Sequence, residues 1–350
     1  MTVYSFTSFT LSYLNRARVL AKTLKTQHPD WPIWAIVVDC APLDMAVNWE
    51  AEPFDKVLFL PDLIEQNPEA WIFGHTIVEA CTAIKGVAAR RILSEPNCDK
   101  LIYLDPDIAV FNDLDDVSRL LDNASIVLTP HQVKQVSSAD NRAIVDNEIT
   151  SLSHGAYNLG FLAISGCDEG RAFCEWWDDR LRYWCVDQKD TGLFVDQKWC
   201  DLAPCLFANV SILRDPGYNV ASWNLRNREL RFGADGIAYV NGRPLRFFHF
   251  TKLGPVGDVM TRRYAGRNHE IHELWAWYRN EVAANSALSF EPNYWHYGSF
   301  DNGVAVTEPI RRLYRDRQDL KNAFPNPFSV AEGFYDWLKT ETELLHQLAA

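Results

Sequence analysis

The sequence has no long apolar run. Its longest, around residues 31–38, is far too short to span a bilayer as a helix. Residues 1–18 hold no basic stretch followed by an apolar one, so no signal peptide is expected there. Positive charge is in deficit: 34 Lys and Arg against 46 Asp and Glu give a net charge of -12. Nucleic-acid binders replace counterions with a basic face, so nucleic acid is set aside as a partner. The same deficit weakens a polybasic membrane anchor and leaves only a local basic patch for peripheral contact. None of the eight cysteines (Cys40, Cys81, Cys98, Cys167, Cys174, Cys185, Cys200 and Cys205) falls in a C-x-x-C pair, and the Cys200 to Cys205 spacing fits no zinc ribbon. Scattered thiols without a secretion signal predict a reducing compartment. The expected location is cytoplasmic, with peripheral contact at the inner face of a membrane left open. There is also no internal repeat, no low-complexity stretch and no clean linker.

What is present begins with a core. Nearly half of the 350 residues are hydrophobic, enough for one large α/β domain or a domain with an appendage. Thirteen Trp and thirteen Tyr are many for this length. Such rings fill cores, and they also stack on the apolar faces of sugars and bases.

Strand and helix patterns alternate through the first half. Residues 2–9, 33–38, 56–60, 100–104 and 125–128 read as short strands, rich in β-branched and aromatic residues. Residues 15–27 and 76–93 carry apolar positions at helical spacing. This order predicts a mostly parallel sheet flanked by helices. Ligands of such sheets bind beyond the carboxyl ends of the strands, which places Phe9, Asp39, Asp105 and Pro130 near one rim. Residues 157–164 and 245–250 also read as strands, and 170–185 as a helix. From about 254 onward the pattern is helical and irregular, with Trp275, Trp277, Trp295 and Trp337. The expected division is a main domain of residues 1–253 with an extension, 254–350, packed on it.

The segment LIYLDPDIAVFNDLDDV carries the strongest local signal. Four hydrophobic residues lead into Asp105-Pro106-Asp107. Two carboxylates one residue apart at a strand end can reach one hard cation, and such ions bridge carboxylates to diphosphates. Pro106 fixes its own backbone and restricts Asp105. A strand end followed by solvated acids has the same spacing. An EF-hand fails, because Ala109 and Val110 stand where the loop needs an oxygen ligand and a glycine. Asp113, Asp115 and Asp116 are expected at the N-cap and first turn of a helix.

At these residues the chain resembles bacterial GT-A glycosyltransferases related to glycosyltransferase family eight. YLDPDIAVF resembles their metal segment. SYLNRARVLAKTLKTQHPD, VEACTAIKGVAARRIL, SIVLTPH, AYNLGFLAIS, GLFVDQKWCDLAPCLF, RDPGYNVASWN and PLRFFHFTKL follow in the family's order. YGSFDNGVAV, IRRLYRD and NPFSVAEGFYDWL resemble the ends of the same proteins.

The resemblance implies a GT-A-like (Rossmann-like) mixed sheet and a hexosyltransferase-like enzyme dependent on a nucleotide sugar. Its partners would be that donor and a carbohydrate, glycolipid or protein acceptor, in cell-surface polysaccharide or glycoconjugate assembly. It implies a divalent ion, Mn²⁺ or Mg²⁺, on Asp105, Asp107 and His249. Lys85 would contact the donor. Lys252 would neutralise the departing diphosphate, although the family lysine lies farther beyond the histidine, in a Lys-Pro-Trp ending absent here. Asn158 would lie near the transferred sugar and Asp196 would bond its hydroxyls. Gln197 would lie on the face of the anomeric carbon opposite the leaving group. Thr7 and Tyr13 are candidates for the nucleotide; His131, Tyr218, Asn219, Trp223 and Asn224 are candidates for the acceptor. Family eight relatives retain configuration, so retention is expected.

Three alternatives stand beside this reading. A nucleotidyltransferase would use a glycine-rich phosphate loop after the first strand, and SFTSFTLSYL has no glycine. A catalytically inactive sugar- or nucleotide-binding protein would have no need of the complete Asp105, Asp107 and His249 set. A glycoside hydrolase needs a carboxylate pair across the bond.

Overall fold

The computed structural model of the protein describes residues 1–42, 44–286, 288 and 290–341. Residues 342–350, the end of the expected extension, lie outside them. Ten strands frame the site: β1 (Val3–Phe9), β2 (Ile33–Val37), β3 (Lys56–Phe59), β4 (Lys100–Leu104), β5 (Ile108–Val110), β6 (Ile126–Pro130), β7 (Tyr157–Ser165), β8 (Val210–Ile212), β9 (Val220–Ala221) and β10 (Phe247–His249). The main sheet has seven strands in the order β8-β6-β7-β4-β1-β2-β3. All its pairings are parallel except those of β7, which runs antiparallel to both β4 and β6. The result is a mixed, mostly parallel sheet flanked by helices, with a helical and irregular C-terminal extension.

The central strands are buried because helices cover both faces, so they read as continuous apolar runs. Side chains still alternate between faces. Leu101 and Tyr103 of β4 join one apolar cluster with Ile84 and Trp177, whereas Ile102 and Leu104 join the other with Leu20 and Leu24.

The helix Ile77–Leu93 starts at Thr76, whose hydroxyl accepts from Glu79 N while the Glu79 carboxylate accepts from Thr76 N. A cap of this kind stabilises a helix by about 1 kcal/mol. The helix packs closely on Asp168–Trp184 at Gly86, where an added Cβ would lie 2.6 Å from Asp178 Cα. That close approach seats Lys85, one residue earlier, beneath the sheet.

Residues 245–250 do not extend the main sheet. β10 instead sits in a second, three-stranded sheet, parallel to β9 and antiparallel to β5. Of the acids after β5, Asp115 and Asp116 fall in the first turn of a helix as expected, but none is its N-cap. Leu114 occupies the N-cap of the helix Asp115–Leu120 without a side-chain cap, and Asp113 and Asp116 pair with Arg246. Asp113 does both jobs: its Oδ1 accepts from Asp115 N at 3.2 Å while its Oδ2 pairs with Arg246.

The extension grips the sheet at several points. The helix His269–Ala284 packs Trp275 and Tyr278 on Phe248 and Phe250; the rings of Tyr278 and Phe250 stack at 3.9 Å. Farther on, His296 N donates to Asp39 Oδ1 at 2.9 Å and Tyr294 OH donates to Cys40 O at 2.6 Å. The helices Glu308–Asp316 and Phe334–Thr340 close around Phe73. Among the described residues, no helix is long and apolar enough to cross a membrane.

Candidate functional site

The carboxyl ends of β1 and β4 and the first residues of β7 open on a cleft of about 460 Å³. β7 contributes its beginning because it runs antiparallel to its neighbours. Asp105 follows β4, and its N–H donates to Gly160 O at 2.8 Å. The chain then turns through Pro106 and Asp107 into β5. The β5–β10 register pairs His249 with Ile108, and Phe250 N donates to Asp107 O at 2.8 Å. The imidazole is thereby set beside both carboxylates. Its Nε2 lies 3.0 Å from Asp107 Oδ1 and 3.5 Å from Asp105 Oδ2.

One ligand atom from each of Asp105, Asp107 and His249 lies within 4.8 Å of the others. An octahedral Mg²⁺ separates opposite ligands by ~4.2 Å, so small adjustments bring all three onto one such ion. Two hard oxygens and one imidazole nitrogen also suit Mn²⁺. Burial favours a neutral His249, yet the carboxylates of Asp107 and Asp105 outweigh it and raise the imidazole's pKa. Burial likewise works against the Asp107 carboxylate, but His249 holds it below its ordinary value. The residues present fit a divalent ion.

Lys85 reaches up from its helix into the floor of the cleft. Its Nζ stands 2.8 Å from Asp196 Oδ2 and 3.4 Å from Asp105 Oδ1, donates to Leu159 O at 3.0 Å, and lies 4.1 Å from the centre of the Tyr103 ring. Burial opposes the ammonium, but the two carboxylates raise its pKa well above the ordinary value. Burial pushes Asp196 up, and Lys85 offsets part of that. Three carboxylates (Asp105, Asp107 and Asp196) thus face one ammonium and one imidazole, an excess of negative charge that a divalent ion would neutralise.

Asp196 and Gln197 follow Val195, which adopts a left-handed backbone (φ 38°) after the two-residue strand Leu193–Phe194. The Gln197 amide is held by its Nε2 donating to His154 O at 2.9 Å and by Leu159 N donating to its Oε1 at 3.4 Å. Asn158 at the mouth of β7 accepts from Asn219 Nδ2 at 2.9 Å, and its own Nδ2 lies 3.2 Å from His131 Nε2. Burial lowers His131 to about 4, so its neutral ring can accept that proton. Trp223 stands over the cleft, its ring edge-on to His249 at 5.3 Å. Tyr13 lines the opposite side, and Lys252, exposed and left-handed (φ 55°), lies at the rim after β10.

Five of the expected contacts do not line the cleft; His131, already placed behind Asn158, is one of them. Thr7 is fully buried inside β1; strand alternation and the strand's end bring Ser8, Phe9 and Thr10 there instead. Tyr218 is buried against Phe247, away from the opening. Asn224 is buried and folds the loop, accepting from Ala221 N and donating to Asn219 O. Asn219, left-handed (φ 49°) and buried, stands behind Asn158.

Sequence reading missed Tyr103. Its hydroxyl donates to Asp105 Oδ1 at 2.6 Å and lies 3.1 Å from Ser8 Oγ. Burial and the Asp105 charge push the phenol's pKa well up, so it remains a donor. The signal was present, because residues 103 and 105 share one side of an extended strand. Asp39 does stand at the rim, but its carboxylate accepts from Leu11, Cys40 and His296 N–H groups and anchors the extension.

No family model matches the sequence. The chain is similar to the uncharacterized protein YfnF of Bacillus subtilis (strain 168), 28% identical over 209 residues, covering 56% of this chain and 65% of YfnF. The match therefore spans just under two thirds of that protein's length. It is also similar to the uncharacterized YfnD of the same organism, 23% identical over 313 residues, covering 87% of this chain and 86% of YfnD. Among solved structures it is similar to the galactosyltransferase LgtC in complex with donor and acceptor sugar analogs, with a TM-score of 0.42 and 15% identity over 79% of this chain and 99% of that one. It is similar as well to the glycosyltransferase GlyE of Streptococcus pneumoniae TIGR4, with a TM-score of 0.42 and 14% identity over 86% and 67% of the two chains. Mouse xyloside xylosyltransferase 1 gives a TM-score of 0.40 and 13% identity over 73% and 99%. Likeness at this level does not bear on the chemistry of the site, which rests on the geometry above.

Proposed function

We propose that the chain is a glycosyltransferase that moves a sugar from a nucleotide-diphosphate sugar to an acceptor hydroxyl, with retention and with a divalent ion on Asp105, Asp107 and His249. The convergence of these three ligand atoms beside the Lys85–Asp196 pair, in a cleft at the strand ends, carries the reading. When bound, the ion would neutralise the diphosphate and make it a better leaving group.

The chain's own residues do the rest. Tyr103 and Lys85 hold Asp105 in place, and His249 fixes Asp107. Lys85 favours the carboxylate form of Asp196, which would accept from the sugar hydroxyls. Lys252, exposed at the rim, offers an ammonium to the departing diphosphate. Tyr13 is placed for the nucleotide. Trp223 presents an aromatic face for the acceptor, with Asn158 as the polar group beside it, held from behind by His131 and Asn219. An amide such as Gln197 is too weak a base to deprotonate an acceptor hydroxyl. The acceptor's proton then passes to a leaving phosphate oxygen, so attack comes on the face the diphosphate departs from. Residues 1–253 form the catalytic unit in this reading, and the described residues from 254 to 341 close its flank.

The test is a screen of common nucleotide sugars for slow hydrolysis, which needs no acceptor. Mn²⁺ is expected to support release of a nucleoside diphosphate and EDTA to abolish it. Full turnover in EDTA, or release of pyrophosphate or of a nucleoside monophosphate, would overturn the proposal.

A further inference from the structure

A second cavity, of about 580 Å³, opens beside the cleft. Its walls bring together Lys134, Arg226, Arg228, Arg231 and Arg267, with Glu229 as the one carboxylate among them. Five cations against one acid stand out in a chain of net charge -12. Some of this charge is matched from outside the cavity. Arg226 pairs with Asp140, and Arg231 with Glu229 and Glu270. Arg228, Arg267 and Lys134 take no ion pair among the described residues.

Arg228 is the informative member. It is 3% exposed, its Nη1 donates to Tyr218 O at 2.5 Å, and its Nε has no partner among the described residues. The carboxylate that most influences it, Asp215, is already paired with Arg243. Burial lowers its pKa to about 9, so at neutral pH it is still a cation. A buried guanidinium without a counter-charge costs several kcal/mol unless something anionic reaches it. Its planar fork matches the oxygens of a phosphate.

The cavity is coupled to the cleft through one short element. The helix Ser222–Asn227 carries Trp223, which lines the cleft, and Arg226 and Asn227, which line the cavity. At the rise of a 3₁₀ helix these positions lie about 6–8 Å apart along the axis. Gln132 ties the element down by donating to Trp223 O at 3.1 Å.

We propose that this cavity binds a phosphate group, with Arg228 as its buried anchor and Arg267 and Lys134 as its outer cations. Its closeness to Trp223 makes the ligand the phosphate of the acceptor, an assignment that rests on the transferase reading. The binding site itself does not rest on it.

The test uses inorganic phosphate, titrated into the whole protein in EDTA and followed by phosphorus NMR line width. No turnover is needed, so its outcome is independent of whether the chain is a transferase. Millimolar binding is expected, weakened roughly tenfold in the double variant Lys134→Gln, Arg267→Gln with melting temperature unchanged. Arg228→Lys keeps the charge and loses the fork, and should weaken binding as well. A second arm measures retention on vesicles with and without phosphatidic acid. Retention that the double variant abolishes places the phosphate on a lipid headgroup; phosphate binding without retention places it on a soluble acceptor. Phosphate affinity unchanged in the double variant, or no binding detected up to about 10 mM phosphate, overturns the proposal.

Discussion

Gly160 and His249 occupy neighbouring space that leaves no room for a side chain: a Cβ on Gly160 would lie 2.4 Å from His249 Cε1 and 2.7 Å from its Nδ1. It would also meet Asn158 Oδ1 at 2.8 Å. The imidazole is thus wedged between the backbone of β7 and the carboxylates of Asp105 and Asp107. Gly160→Ala must push the ring aside, at a cost of about 1–3 kcal/mol. We expect Mn²⁺ affinity, read by electron paramagnetic resonance, to fall at least about tenfold. His249→Ala should match that loss. Unchanged metal affinity in both variants would remove His249 from the ligand set.

Lys85 and Asp196 are each almost inaccessible, so removing one strands the other. Lys85→Met should destabilise the protein by about 3–5 kcal/mol in urea unfolding and abolish donor hydrolysis. Asp196→Asn placed on that background should restore part of the stability, because it removes the stranded charge, but not the turnover. If the two changes simply add, the pair is not coupled.

Gln197 should act on turnover more than on donor binding, since its contact matters most as positive charge develops on the sugar. An α-linked donor should give an α-linked product, read from the anomeric coupling in proton NMR of the first-formed product. A β-linked product would refute retention and make Asp196 the first candidate for a base.

Stability should fall as the medium is acidified from about pH 7 to about pH 5. Burial lowers His75 and His131 to about 4, and lowers His28 and His296 as well. His28 Nε2 accepts from Leu114 N, which requires a neutral ring. The unfolded chain takes up these protons below 6.5, the ordinary histidine value, whereas the folded chain resists until far lower pH. Asp39 works the other way. Burial pushes it up to about 6, so the folded chain keeps a proton there that the unfolded chain has released. His249 and Asp196, whose pKa values are also raised in the fold, act in the same sense as Asp39. The four lowered histidines outnumber these three groups, so the unfolded state binds more protons and gains from acid. A urea midpoint that rises between those two pH values would contradict this balance.

The sequence by itself determined the layered α/β plan and the position of Asp105 and Asp107. Both follow from short-range pattern: apolar runs alternate with helical spacing, and a parallel strand ends where its ligands must bind. The tertiary structure alone decided which distant groups meet these carboxylates. The β5–β10 register places His249 beside Asp107, and the tight helix contact at Gly86 seats Lys85 between Asp105 and Asp196. The same holds for the residues that missed the cleft. Thr7, Tyr218 and Asn224 sit in plausible segments, but strand parity and loop folding turn their side chains into the protein. Local periodicity encodes which face of an element is apolar. Register between strands far apart in the chain, and the pairing of buried charges across helices, emerge only when the whole core packs.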